Sequence, residues 1–175
     1  SVDFLAGPQT TIGTAVRGIA IGDIDHEPGK DYALDTDDGL EIRLGSLTNA
    51  PTQVFGDSRR ARTPLVLADL DLDGRVELVY GTPDGEVAHH RGVPLPATAT
   101  EPYPFEPAAT IALGTDADQI GVDRIRSGPG AIPGPEILVL TNDGASHQGD
   151  AMRLLTPDGS GGFALGERDD GTVEG

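Results

Sequence analysis

The chain has 175 residues, no cysteine, and a formal net charge of −17 from 29 acidic and 12 basic side chains. That length suits one ordinary domain, and the absence of cysteine excludes a disulfide framework and a thiolate metal site. The acidity excludes nucleic acid and anionic membrane surfaces as natural partners and leaves cations as the counterpart. With 25 glycines and 14 prolines, no stretch free of both exceeds nine residues, as in Leu65–Asp73. Substantial helix is therefore excluded and an all-β chain with many turns is predicted. No run approaches the roughly 20 apolar residues of a membrane span, so no membrane insertion is expected.

In chain order, a leading strand Val2–Ala6 ends on Phe4-Leu5-Ala6-Gly7, and a unit then follows that recurs three times. The first unit opens on Gly18-Ile19-Ala20-Ile21-Gly22 and continues through Tyr32-Ala33-Leu34 to a turn at Asp37-Asp38-Gly39. The alternating stretch Leu40–Leu44 and the closing Val54-Phe55-Gly56 complete it. The second unit repeats the plan with Leu65-Val66-Leu67-Ala68, Leu78-Val79-Tyr80, a turn at Pro83-Asp84-Gly85, Glu86-Val87-Ala88 and Ile111–Gly114. The third has Ile120-Gly121-Val122-Asp123, Ile137–Leu140, a turn at Asn142-Asp143-Gly144, Met152–Leu155 and Phe163–Gly166. Asp-Gly and its relatives supply the positive φ angles that tight hairpins need. The link Pro94–Pro107 reads as a surface loop, because the repeat resumes in phase after it.

Four short strands at a period of roughly fifty residues are the pattern of a β-propeller blade. The expected organisation is one propeller segment: residues 1–17 as the closing strand of a preceding blade and a link, then blades over 18–56, 65–114 and 119–166. Propellers close with about four to eight blades, so three blades and one leading strand make an incomplete ring. The expectation is a fragment of a longer protein, or a subunit whose ring other chains complete.

The chemistry lies in two loops. Numbering from the first aspartate, Asp69-Leu70-Asp71-Leu72-Asp73-Gly74-Arg75-Val76-Glu77 carries carboxylates at positions 1, 3, 5 and 9. So does Asp23-Ile24-Asp25-His26-Glu27-Pro28-Gly29-Lys30-Asp31. Ca²⁺ takes about six to eight oxygens, and the backbone carbonyl at position 7, Gly29 or Arg75, would add one to each set. An EF-hand is excluded, because position 12 is Leu34 or Tyr80 and β-type runs flank both loops. In the third unit Asp123 is read as position 1, but Ile125 and Ser127 stand where carboxylates are needed, so no metal is expected there.

The segment Asp69–Gly81 resembles the FG-GAP/VCBS repeats of integrin-type β-propellers, and Asp158-Gly159-Ser160-Gly161-Gly162-Phe163 resembles the hairpin before the last strand of such repeats. The resemblance spans nearly the whole chain, with the second loop the close match. It implies a propeller with Ca²⁺ in its blade loops, usually outside the cytoplasm, that serves adhesion or protein interaction. Pro28 in the first loop and the missing carboxylates in the third depart from the pattern.

Catalysis is not expected. His26, His89, His90 and His147 are scattered and read as surface residues; His89 and His90 are adjacent, so in a strand they face opposite ways. No serine lies in a Gly-x-Ser-x-Gly elbow, and there is no phosphate loop or Rossmann fingerprint. The leading expectation is a calcium-binding interaction, adhesion or scaffolding module that is extracellular, at the cell surface or periplasmic. Its partner is another protein, or a second copy completing the propeller. The alternatives are a lectin-type propeller binding a glycan, for which three Tyr and four Phe are few platforms, and an accessory domain of a secreted enzyme.

Overall fold

Glycine, proline and Asp-rich turns cut the chain into short segments, and period-two alternation makes those segments strands. The computed structural model describes residues 11–55, 64–82, 84–94, 105–106, 109–123, 134–142, 151–159 and 162–166, so the leading strand Val2–Ala6 lies outside it. Twelve strands form three four-stranded antiparallel sheets, with no helix among the described residues. Sheet 1 runs β1 (Val16–Gly22), β2 (Asp31–Thr36), β3 (Gly39–Arg43) and β4 (Gln53–Phe55). Sheet 2 runs β5 (Leu65–Ala68), β6 (Glu77–Gly81), β7 (Glu86–His90) and β8 (Ala109–Ala112). Sheet 3 runs β9 (Asp116–Asp123), β10 (Glu136–Asn142), β11 (Ala151–Pro157) and β12 (Phe163–Leu165). Each strand pairs with its sequence neighbour, and the described residues close no ring.

The sheets stack in chain order. Sheets 1 and 2 meet over Ile24, Ala33, Leu40, Ile42, Leu78, Tyr80, Ala88 and Phe105. Sheets 2 and 3 meet over Leu70, Val79, Val87, Leu113, Ile137, Val139 and Leu155. Among the first strands, β5 lies between β1 and β9 and neighbours both. Sheet 2 is covered on both faces, so consecutive residues of β6 enter different cores: Leu78 and Tyr80 one, Val79 the other. Full burial of a leucine is worth about 1.5–3 kcal/mol, which explains how so short a strand as β6 is held without helices.

The turn between β2 and β3 shows why a glycine is required. Gly39 has φ +128°, and a Cβ there would stand 2.7 Å from the Phe55 carbonyl oxygen. Gly92 is required for another reason: a Cβ would meet the Val76 carbonyl oxygen at 2.5 Å. Gly92 also pairs with Phe105, whose ring is 3% exposed inside the first core. Of the link Pro94–Pro107 expected as a surface loop, residues 95–104 and 107 lie outside the described ones; of the described residues, Phe105 is a core residue, held there by its bridge to Gly92.

Two further expectations are corrected. His89 and His90 are not surface residues, being 6% and 4% exposed. They do face opposite ways. His90 lies between Phe55 and Tyr80, with ring centroids at 4.4 and 5.6 Å, and donates from Nδ1 to the Glu106 carbonyl at 2.6 Å. Its Nε2 then accepts from the Tyr80 hydroxyl at 3.2 Å. His89 and Phe163 form a T-shaped pair with ring centroids 5.2 Å apart. The physical reason is the double cover of sheet 2, which buries β7 on both sides. Second, Asp123 is not the equivalent of Asp23 and Asp69. It pairs with Glu136 inside a sheet, as Gly22 pairs with Asp31 and Ala68 with Glu77. Asp123 is therefore the last strand residue, one place before the loop.

Burial pushes both imidazoles below their ordinary value of 6.5. For His89 burial is reinforced by His90 and Arg91 and opposed by Asp71 and Asp158; for His90 the Glu106 carbonyl opposes it. Both are thus neutral in the fold while the unfolded chain protonates near 6.5. Their contribution is complete above that pH and declines as pH falls below it. Urea denaturation of the wild type and of His89→Gln/His90→Gln, compared at several pH values from 7.5 down to 5, should show a shallower loss of stability in the variant. Leu78→Ala should cost about 2–5 kcal/mol at neutral pH.

Candidate metal centre

Both acidic loops join the first strand of a sheet to the second: residues 23–30 between β1 and β2, and residues 69–76 between β5 and β6. Their hydrogen bonding shares two contacts and differs at the first aspartate, which accepts from the His26 N–H in the first loop and from the Gly74 N–H in the second. The ninth-position carboxylate accepts from the N–H of the second residue: Ile24 N to Asp31 Oδ2 at 2.5 Å, and Leu70 N to Glu77 Oε2 at 2.5 Å. The third-position aspartate accepts from the fifth N–H: Glu27 N to Asp25 Oδ1 at 2.9 Å, and Asp73 N to Asp71 Oδ1 at 3.1 Å. The fourth residues, His26 and Leu72, both adopt the left-handed conformation, with φ 61° and 63°. For non-glycine residues this costs about 1–3 kcal/mol and occurs where surroundings enforce it. Ile24 and Leu70 are buried, so each loop is anchored in a core through its second residue.

This folding brings three carboxylates together in each loop. Oxygens of Asp23, Asp25 and Asp31 lie within 4.8 Å of one another, and so do those of Asp69, Asp71 and Glu77. With metal–oxygen distances of about 2.3–2.6 Å for calcium, atoms at such separations can share one ion. The fifth-position carboxylates of Glu27 and Asp73 lie outside these two clusters. Asp73 turns instead to Arg75, at 2.5 Å, while Glu27 is exposed. Of the position-7 residues, Gly29 sits against Gly45 and Arg75 engages Asp73 through its side chain.

The two loops differ in what else holds their carboxylates. Both oxygens of Asp31 are occupied, Oδ1 by the Gly45 N–H at 2.8 Å. Glu77 is fully buried, yet its Oε1 has no hydrogen-bond partner, and neither has the buried Oδ1 of Asp69. An unpaired buried carboxylate oxygen is costly, and a cation bound between Asp69, Asp71 and Glu77 would satisfy both atoms. Arg91 completes the surroundings, its Nη2 lying 2.9 Å from Asp71 Oδ2 and 3.8 Å from Asp73 Oδ2. Sequence spacing alone did not single out Arg91, because it arrives from the end of β7.

Burial pushes the Glu77 carboxyl up to about 7; the Leu70 N–H opposes this, and Asp71, Asp73 and Asp69 add to it. A proton and a cation therefore compete for this carboxylate. Cation affinity at the second loop should rise about tenfold from pH 6 to pH 8, as the carboxylate population rises. Calorimetric calcium titrations at the two pH values check this, with Asp71→Ala expected to remove the second-loop response. No protein-family model matches the chain, and a comparison with curated proteins finds no match, so the assignment rests on the loops themselves.

Proposed function

We propose that this chain is a calcium-binding β-propeller segment of the FG-GAP/VCBS kind, a non-catalytic interaction or scaffolding module working outside the cytoplasm. One observation carries the reading. Two successive four-stranded sheets have the same strand–loop–strand acidic cluster at the same place, and the second holds a buried carboxylate oxygen with no partner. Calcium is the favoured ion because every clustered side chain offers hard oxygen and none offers nitrogen or sulfur. Extracellular calcium modules bind at about 10⁻⁴–10⁻³ M, a range that suits loops with three clustered carboxylates.

The reading of the sheets as blades draws support from their outer faces. Ile19 and Ile21 occupy the register positions that Leu65 and Leu67 fill in sheet 2, facing sheet 1. They are 50% and 57% exposed. At the other end of the stack, Leu140 and Met152 pair across β10 and β11 on the face turned away from sheet 2 and are also exposed. A stack whose two outer faces continue the pattern of its inner ones suits further four-stranded units, from a second copy or a different protein.

Native mass spectrometry at millimolar calcium should count two ions per chain, and a count of zero would overturn the reading. Calcium at 100 times its dissociation constant adds about 2.7 kcal/mol per site, so chelation should lower the melting temperature. For the assembly, light scattering should show concentration-dependent association that Ile21→Glu and Met152→Glu each weaken. A monomer at all concentrations would remove the assembly part.

A further inference from the structure

The residue equivalent to Arg91 in the first unit can be read from the strand registers. In sheet 1, Tyr32 pairs with Ile21 on one side and Arg43 on the other. In sheet 2, Leu78 pairs with Leu67 and His90 in the same way. One step beyond Arg43 and His90 stand Leu44 and Arg91, and one step further Gly45 and Gly92. Both glycines lie against their own acidic loop. Gly45 approaches Gly29 and donates its N–H to Asp31, while Gly92 lies against Arg75 and Val76. The architecture therefore delivers the preceding side chain to each loop's flank. In sheet 1 that side chain is a leucine packed on the first core; in sheet 2 it is a guanidinium paired with Asp71.

This placement is fixed by the backbone on both sides. The Arg91 carbonyl accepts from Glu106 N–H at 3.0 Å, and Gly92 pairs with Phe105, a core residue. No lysine or arginine pairs with Asp23, Asp25 or Asp31 among the described residues.

Resting on the calcium reading above, we propose that Arg91 is an intramolecular competitor for the cation at Asp69–Glu77, a positioning residue that lowers the affinity of the second loop and leaves the first untouched. Asp71 Oδ2 serves either the guanidinium or the ion at full strength. An ion entering the cluster must loosen the Arg91–Asp71 pair and then tolerate a positive charge next to it. Exposed pairs are weak, and the repulsion between a guanidinium and a dication is partly screened; together they correspond to about a three- to tenfold effect on affinity. The device also makes second-loop affinity depend less steeply on salt than a bare acidic cluster would, because salt weakens the competitor as well as the attraction.

The test is calorimetric titration of the full chain with calcium chloride, in a background where Asp25→Asn silences the first loop. Arg91→Leu, which copies the first unit, and Arg91→Gln, which keeps the length and polarity, should each raise second-loop affinity about three- to tenfold. Arg91→Lys keeps the charge and should stay close to the wild type, a result that a purely structural role for the side chain would not give. Unchanged or weaker binding in Arg91→Gln, or identical affinities for Arg91→Gln and Arg91→Lys, would overturn the role of Arg91 alone. The wild-type chain serves as the control for the reading beneath it: absence of saturable calcium binding there overturns the metal site and the inference together.

Discussion

The hydrogen bond from the second loop residue to the ninth carboxylate ties the site to the core. Ile24 and Leu70 each place a side chain in a packed interface and an N–H on the carboxylate that opens the next strand. The carboxylate is thereby buried at the start of an inner strand, the intervening residues are forced to loop outward, and the fourth residue takes up a left-handed conformation. A loop so closed has few ways to spread its charges apart. Packing energy from the sheets holds together side chains that repel one another in solution, a cost that a bound cation would offset.

Differences between the two loops follow from their neighbours. Asp31 meets a backbone N–H from Gly45 and has little desolvated charge left over, whereas the longer Glu77 side chain reaches a position where one oxygen meets nothing. The first loop substitutes proline at the sixth position and puts its positive-φ glycine at the seventh, with φ 151° at Gly29; the second has Gly74 at the sixth, with φ 89°. Two loops with the same carboxylate spacing thus present different chemistry.

The strands and both acidic clusters were legible in the sequence because their signals are local. Alternation sets the faces of β3 and β6, Asp-Gly turns mark the hairpins, and aspartates two residues apart bring their carboxylates to one side of a tight loop. What escaped depends on contacts distant in the chain. Burial of His89 and His90 needs sheets on both sides of β7, and the core role of Phe105 needs its bridge to Gly92. A lone aspartate such as Asp123 carries no register of its own, and only its pairing with Glu136 places it one residue before the loop. Spacing also does not reveal the pairing of Asp73 with Arg75.

The Gly92–Phe105 bridge divides the β7–β8 connection into a stitched base and the twelve residues between. A base held by a backbone pair, a buried ring and a close glycine contact isolates the sheet from whatever lies beyond it. Lengthening a flexible loop twofold costs only about 0.6 kcal/mol, so this connection can gain or lose sequence while β7 and β8 keep their pairing. An insertion between Gly92 and Phe105 would leave both the backbone pair and the packing of Phe105 in the first core in place.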